Sequence, residues 1–437
     1  MYVCGPTVYG RAHIGNARPA VVFDVLARLL RHKYPNHKLE YARNITDIDD
    51  KIMAAAAREG VSVDEIAARY EAAYVEDMAA LGVEPPTIAP HATHHVPGMI
   101  AMIEVLVARG VAYVAQRHVL FSVAADPEYG TLSGRDRAAM LAGARVEVAP
   151  YKRDAADFVL WKPSTDAQPG WESPWSRGRP GWHIECSAMI RELLGETIDI
   201  HGGGQDLIFP HHENEAAQSR CANGAELARV WMHNGFLGMG ADKMSKSLGN
   251  VVSVGELLEQ RSEVIRFALL SAQYRQPLRW TYKLVFDSHR KLGHWYSITK
   301  DQDIQCVDVP AEFVDALADD LNTPLAFAVL NRFAKARDLP NLVASARLIG
   351  VLESDATDWL RGDAYAEGGL DEPLKVGREV MELLLRDADA QLASRVAARL
   401  AARASRDFAT ADRIRDELAA EGIVLEDGPA GTTWRRA

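Results

Sequence analysis

Apolar positions in the first third of the chain change spacing repeatedly, and each change predicts an element. Met1-Tyr2-Val3 is a short apolar run that reads as the end of a buried strand, and Gly5-Pro6-Thr7 follows as a turn. Val22, Val25, Leu26, Leu29 and Leu30 recur at three- and four-residue spacing, which predicts an amphipathic helix with Pro19 in its first turn. Leu39 to Ile45 predicts a second strand that ends in the polar run Thr46-Asp47-Ile48-Asp49-Asp50. Ser62 and Glu65 are spaced as a capping box before another helix. Strand, helix, strand in this order predicts an α/β fold with a doubly wound parallel sheet. Its ligands should gather at the carboxyl ends of the strands, where Cys4, His13 and Thr46 fall.

The pattern breaks between about Gly110 and Pro180. Short apolar runs such as Val119–Val123 alternate with turn residues, including Gly170, Pro174, Gly178 and Pro180, so the stretch reads as an insertion of β and irregular structure. The sheet resumes at Thr197-Ile198-Asp199-Ile200, followed by Gly202-Gly203-Gly204. After Ser247 the spacing becomes mostly helical to the end, and no internal repeat stands out.

At 437 residues, two to four structural units are expected at roughly 100–200 residues each. Apolar residues make up 48% and charged residues 25%, as in a globular protein, and no apolar run reaches the roughly 20 residues of a membrane span. No basic region followed by an apolar stretch begins the chain, so no secretory signal is read. Four scattered cysteines, Cys4, Cys186, Cys221 and Cys306, do not form a disulfide framework and suit a reduced, cytoplasmic setting. The net charge of −11 removes a global basic footprint for nucleic acid. From Arg395 onward, however, eight basic and seven acidic residues give +1, so the preceding 394 carry −12. That tail permits a nucleic-acid partner without requiring one.

Two short words change the picture. His13-Ile14-Gly15-Asn16 lies between a strand and a helix, and Lys243-Met244-Ser245-Lys246-Ser247 lies on a small, polar stretch with two lysines. Together, in this order, they read as two halves of an ATP-handling site that activates a carboxylic acid. A second constellation is metal-like. His211 and Glu215 in Pro210-His211-His212-Glu213-Asn214-Glu215 are four apart and share a helix face, and Cys186 and Cys4 could complete a tetrahedral zinc site. Helix-capping polar residues and buried free cysteines would look the same. The run matches neither metalloprotease arrangement of histidines, which leaves a zinc hydrolase poorly supported.

With these residues on the page, the chain resembles the bacterial cysteinyl-tRNA synthetases, a family of class I aminoacyl-tRNA synthetases. The words that carry the resemblance are Met1–Tyr9, Arg43–Ile52, Asp157–Lys162, Pro180–Met189, His201–Glu215, Trp231–Asn250 and Ile423–Arg436. It implies a Rossmann-type catalytic domain in two halves, 1–105 and 176–240, with a connective insertion over 106–175. A lysine-loop and stem-contact region over 241–300, a helical bundle over 301–390 and an anticodon-recognition domain over 391–437 would follow. It implies ATP-dependent activation of L-cysteine and transfer to tRNA(Cys), by a chain expected to be a monomer. The family's zinc ligands correspond to Cys4, Cys186, His211 and Glu215, giving one Zn2+ per chain. His13, Gly15, Asn16, Asp206 and Lys246 would bind ATP, with Mg2+ at the pyrophosphate end, and Lys243 would assist Lys246.

Zinc is implied to select the cysteine thiolate over serine and alanine, which size exclusion cannot reject. Whether substrate sulfur adds to four protein ligands or displaces one stays open. Trp182 is implied as the floor of the substrate pocket, although a plain core tryptophan fits the sequence equally, and Thr46 is a weaker substrate contact. Phe408, Asp412 and Asp427 would read the anticodon, with a solvated helix face as the alternative for Asp412.

Two departures from the family stand out. Some twenty residues that usually precede Met1-Tyr2-Val3 are missing, from which a misassigned start or a bare sheet edge at the first strand is expected. Asn16 replaces the second histidine of the idealised ATP word; it donates a hydrogen bond but carries no charge. The competing readings are a cysteine ligase of the mycothiol type, which lacks an anticodon module, and a catalytically silent paralogue that binds tRNA.

Overall fold

The computed structural model describes residues 1–135, 149–239, 242–243, 252–257 and 261–364. It also describes 395–396, 398–399, 402, 407–420, 423–428 and 431–436. A four-stranded parallel sheet forms the centre of the catalytic half, in the order β2 (Ala42–Arg43), β1 (Tyr2–Val3), β7 (Ile198–Gly204), β8 (Ala228–Asn234). The strand β1 is paired on both sides, with Ala42–Arg43 and with His201–Gly202, so the expected bare edge at β1 is not found. A stretch including Ile88 and His91 continues the sheet beyond β2 through isolated parallel bridges.

The second strand is shorter than Leu39–Ile45 because its partner is short. The Gly5 N–H goes to the Asn44 side chain at 2.9 Å and Pro6 lacks an N–H, so the regular ladder stops after Ala42–Arg43 and pairing resumes only as an isolated bridge between Thr7 and Thr46. The helix α1 runs from Ile14 to Lys33 and starts earlier than the apolar spacing indicates, which places Pro19 inside the helix rather than in its first turn. The reason lies at its start, where the Asn16 carboxamide oxygen accepts the backbone N–H of His13 at 3.2 Å and caps the helix there. The predicted capping box at Ser62 is half formed. Ser62 Oγ accepts from the Glu65 N–H at 3.1 Å, while the Glu65 carboxylate pairs with Arg69 at 3.0 Å.

After α2 (Asp50–Glu59), α3 (Val63–Ala80) and α4 (Val96–Ala108), the insertion forms an antiparallel sheet. Its order is β3 (Ala112–Ala115), β4 (His118–Phe121), β5 (Phe158–Pro163), β6 (Gly178–Pro180). The chain returns to the parallel sheet through α5 (Trp182–Leu193), and α6 (Glu213–Asn223) follows β7. The insertion is buckled onto α6. Glu213, fully buried, accepts the N–H groups of Gly130 and Ser133 at 2.8 Å each, and Tyr129 donates to Asn214 at 2.5 Å. Two polar residues of the metal-like word are therefore engaged in holding the insertion.

A small sheet of β9 (Leu237–Met239), β10 (Asp242–Lys243) and β11 (Leu278–Trp280) leads into the helical half. Helices at Ser262–Leu269, Tyr282–Thr299, Ala311–Ala318, Thr323–Ala336, Leu339–Leu348 and Ala356–Ala364 pack there. Arg266 joins the halves. It is fully buried and donates to Ile349 O at 2.8 Å, Leu81 O at 3.2 Å, Gly82 O at 3.1 Å and Asp24 of α1 at 2.5 Å. At Gly350, φ is +71° and an added Cβ would lie 2.7 Å from the Arg266 guanidinium, so both backbone and space demand glycine there. The described part of the tail is a helix, Phe408–Ala420, and a hairpin of β12 (Ile423–Gly428) with β13 (Gly431–Arg436).

Candidate metal centre and active site

Three local features deliver the metal-like residues to one point. Cys4 follows β1, and its N–H is held by Gly202 O at 3.0 Å on β7. Gly5 is required next to it, because an added Cβ would lie 1.7 Å from the Asn44 carbonyl oxygen of the neighbouring chain. Cys186 sits one turn into α5, whose first turn begins after Gly181, where a Cβ would meet Val159 O at 2.1 Å. His211 and Glu215 are one turn apart across the start of α6.

The ligand atoms of Cys4, Cys186, His211 and Glu215 all lie within 4.8 Å of one another. Their separations test whether a metal fits. A tetrahedral zinc with sulfur at about 2.3 Å and nitrogen or oxygen at about 2.0–2.1 Å sets sulfur–sulfur edges of about 3.8 Å and sulfur–nitrogen or sulfur–oxygen edges of about 3.6 Å. The two thiol sulfurs are 3.8 Å apart, Cys4 Sγ is 3.6 Å from Glu215 Oε1, and Cys186 Sγ is 3.7 Å from His211 Nε2. The His211 Nε2–Glu215 Oε1 pair is closer, at 2.6 Å, as a direct ion pair.

Protonation points the same way. Burial, the hydrogen bond with Cys186 and nearby negative charge push the Cys4 thiol well up, whereas the hydrogen bond from Cys4 brings Cys186 down to about 6. Burial works against a charged His211, yet the Glu215 carboxylate and Cys186 raise it to about 10. Burial also opposes the charge on Glu215, but His211 and His201 hold it well below the usual carboxylate range. The shifts favour negative charge on Cys186 and Glu215 and positive charge on His211. A divalent cation in place of the protons on Cys4 and His211 would satisfy this donor set.

Further side chains orient the four. His201 Nε2 bonds the second carboxylate oxygen of Glu215 at 2.5 Å and is itself fixed by Tyr2 O at 3.2 Å. His183 Nδ1 meets His211 Nδ1 at 2.9 Å, and burial together with His211 lowers His183 to about 3, so it is neutral and can accept that proton. The indole of Trp182 stacks on His211 with centroids 4.1 Å apart and planes at 18°. Trp182 is 39% exposed, so it is not a plain core tryptophan.

Trp182 and Cys4 line a cavity of about 330 Å³ together with His13, Gly15, Asn16 and Asp206. The imidazole of His13 folds over Gly15, where a Cβ would lie 2.9 Å from Nδ1, so the glycine in this word makes room for the ring. The Asn16 carboxamide oxygen is engaged at the cap, which leaves its amide donor as the group it can offer a ligand. Thr46 is buried, touches Glu185 at 3.3 Å and lies outside the set of cavity-lining residues. Burial, then the negative charge of Cys186 and Asp49, raises Glu185 well above the carboxylate range. Lys243 is on β10, with its side chain outside the described residues, as is the whole of Lys246. Phe408 opens the tail helix and Asp427 lies on β12, both with side chains outside the described residues. Asp412 is exposed and pairs with Arg415 at 2.9 Å.

A family model described as the tRNA synthetases class I (C) catalytic domain matches residues 1–290. The DALR domain matches 312–339, and the cysteinyl-tRNA ligase anticodon binding domain matches 386–435. The cysteine–tRNA ligase of Parvibaculum lavamentivorans is 56% identical, covering 100% of this chain and 93% of the relative. That of Acidiphilium cryptum is 54% identical, covering 100% and 94%. The chain belongs to the cysteinyl-tRNA ligase family. The ligase is also similar in fold to Mycobacterium tuberculosis methionyl-tRNA synthetase in complex with methionyl-adenylate. There the TM-score is 0.56 at 17% identity, covering 86% of this chain and 99% of that one. The anticodon-domain match separates the ligase from a cysteine ligase that lacks such a module. Among its described residues, no helix is long and apolar enough to cross a membrane.

Sequence reasoning missed His183, His201 and Glu185. His183 and Glu185 sit inside the same word as Cys186, and His201 follows Ile198-Asp199-Ile200 in β7 just before its glycines. A histidine facing the core of a parallel sheet is the one signal that could have singled it out.

Proposed function

We propose that the ligase uses ATP to activate L-cysteine as cysteinyl-adenylate and transfers the cysteinyl group to tRNA(Cys), with a zinc ion held by Cys4, Cys186, His211 and Glu215. The observation that carries this reading is the near-tetrahedral spacing of those ligand atoms beside a cavity lined by His13, Asn16 and Trp182. In the first step a cysteine carboxylate oxygen attacks the α-phosphorus of ATP, the bond to the β-phosphate breaks and pyrophosphate leaves. In the second, a ribose hydroxyl of the tRNA 3′-terminal adenosine attacks the adenylate carbonyl, AMP leaves and the hydroxyl proton is released.

The protein's part in both steps is positioning and charge neutralisation. His13 and the amide donor of Asn16 stand at the N-terminus of α1, where the helix dipole also favours phosphate oxygens. Lys243 and Lys246 would add positive charge from the loop, with Mg2+ at the pyrophosphate end, and Asp206 would contact ATP. Trp182 would pack on the substrate beside His211, and Thr46, through Glu185, would hold the wall behind it. When bound, zinc supplies a Lewis acid that prefers a thiolate to a hydroxyl or methyl group, the basis for choosing cysteine over serine and alanine. The tail, with Phe408, Asp412 and Asp427, would read the anticodon. We read the working unit as a cytoplasmic monomer.

Cysteine-dependent exchange of pyrophosphate into ATP, followed by charging of tRNA(Cys) on the same preparation, tests the reading. Both reactions are expected, with serine giving no detectable exchange. A chain that binds tRNA but supports neither reaction would be the silent paralogue.

A further inference from the structure

The two ATP words stand on different elements, and one side chain joins those elements. Arg18 lies on α1, little more than a turn after His13, and is fully buried. Its Nη1 donates to Gly235 O at 2.7 Å and to Phe236 O at 3.0 Å, and its Nη2 donates to Gln276 O at 2.7 Å. Gly235 and Phe236 link β8 to β9, and Gln276 lies in the turn before β11. Strand β9 pairs with β11 at Leu237–Leu278 and with β10 at Gly238–Lys243. The contacts therefore run from the helix that starts beside His13, through one guanidinium, to the strand pair that carries Lys243.

Packing alone does not call for an arginine there. At Arg266 a buried guanidinium meets the Asp24 carboxylate, whereas among the described residues no carboxylate pairs with Arg18. Burial brings Arg18 down to about 10, so it is still charged at neutral pH. Two of its three carbonyls have another donor, because Gly235 O accepts from the Asn234 side-chain amide at 3.2 Å and Phe236 O from the Leu278 N–H at 2.9 Å. A long apolar side chain would fill the space without burying a charge. It could not hold both chain segments at a fixed distance from α1. Those segments already touch closely, since a Cβ on Gly235 would lie 2.5 Å from Gln276 O. Both sides of the clamp line the cavity, Gly15, Asn16 and Pro19 from α1 and Gly235 and Phe236 from the link.

We propose that Arg18 is a positioning residue for ATP activation, a strut that sets the separation between the start of α1, where His13 and Asn16 stand, and strand β10, which carries Lys243. This rests on the reading of the chain as an active cysteine–tRNA ligase with Lys243 in the ATP site. Attack at the α-phosphorus needs the donors of both words in place at once, and a displacement of about 1 Å costs on the order of 100-fold in rate. Arg18 touches no substrate and acts through where it holds β9 and β10.

The test is a double-mutant cycle in the full-length chain, read by cysteine-dependent pyrophosphate exchange with ATP and cysteine varied separately. Arg18→Met lowers kcat/KM for ATP about 100-fold, and Arg18→Lys, which keeps one donor nitrogen, about tenfold. KM for cysteine and the bound metal stay within about twofold of wild type, because the metal corner hangs on β1, α5 and α6 rather than on the strut. Lys243→Ala also lowers kcat/KM for ATP. Adding Arg18→Lys to it lowers the value less than about threefold further, since a side chain that is gone cannot be misplaced. Full multiplication of the two losses overturns the proposal, for Arg18 then acts independently of Lys243. A joint rise of both KM values, or loss of metal, overturns it in favour of a general structural joint. Wild-type kinetics in Arg18→Lys and Arg18→Met, or in Lys243→Ala, overturn it too. If Arg18→Met does not fold, Arg18→Lys carries the same cycle. Absence of exchange in the wild-type chain would instead defeat the ligase reading itself.

Discussion

The metal corner and the Arg266 junction both bury charge, but they meet its demands differently. At the junction, Arg266 reaches three backbone carbonyls and Asp24, and Asp24 in turn accepts from Arg28 at 2.9 Å and from the Glu84 N–H at 2.8 Å. Every partner is an oxygen or nitrogen at ordinary hydrogen-bond length, and no soft donor is present. At the metal corner, His211 and His201 hold the Glu215 carboxylate at 2.6 and 2.5 Å, while sulfur atoms lie 3.6–3.8 Å from each other, from the carboxylate and from the imidazole, close to the edges of a metal tetrahedron. Buried charge alone therefore does not mark a functional site. Donor type, with two sulfur atoms in the cluster, separates the candidate chemical site from the structural joint.

This contrast predicts opposite signatures for substitutions at the two places. Cys186→Ser should abolish stoichiometric metal and lower cysteine-dependent exchange on the order of 10³-fold, with the circular dichroism spectrum retained. Metal analysis and exchange on one sample decide it, and full activity without metal would remove the metal corner from the chemistry. Arg266→Met should do the reverse. Leaving Asp24 without its buried partner costs about 3 kcal/mol of stability, read by denaturant unfolding, while exchange per folded molecule stays within a few-fold. A loss of exchange as deep as that of Cys186→Ser, in protein that remains folded, would mean the junction takes part in catalysis.

Smaller effects sharpen the contrast. His201→Asn should weaken metal affinity by roughly 10–100-fold, because the histidine steadies Glu215 without being one of the four proposed ligands. Competition with a chelator measures this, and unaltered affinity would show that Glu215 is held by the helix alone. The smallest effect concerns Asp320, whose pairing with Arg275 lowers its pKa. A depressed carboxylate stabilises the fold above its unfolded pKa, and that contribution is lost as pH falls through the folded value. Asp320→Asn should therefore lower Tm by about one or two degrees at pH 7, the partners being half exposed, and by less at pH 3. An equal shift at both pH values would assign the effect to something other than the ion pair.

Much of the site was legible because its residues sit in short, local words. Cys186 with Trp182, His211 with Glu215, and His13 with Gly15 and Asn16 are each separated by no more than one or two helical turns, so types and spacing singled them out, while their roles came from the family resemblance. The extent of the second strand was not legible, because the length of a parallel ladder depends on a partner distant in sequence. The start of α1 was misjudged for a related reason. Apolar spacing reports the buried face, whereas the helix begins where Asn16 caps it.

By itself the sequence determined the class of fold, the presence of an insertion, and four residues of types suited to one metal ion. Those follow from periodicity and donor chemistry, which are properties of residues and their neighbours. Only the tertiary structure decided that Cys4, 182 residues from Cys186, brings its sulfur to 3.8 Å from it. It likewise decided that His201 and His183 brace the ligands and that Glu213 clasps the insertion. Each of these depends on which distant backbones pass within a few ångströms. That proximity arises from packing the sheet, its helices and the insertion together, and no local pattern encodes it.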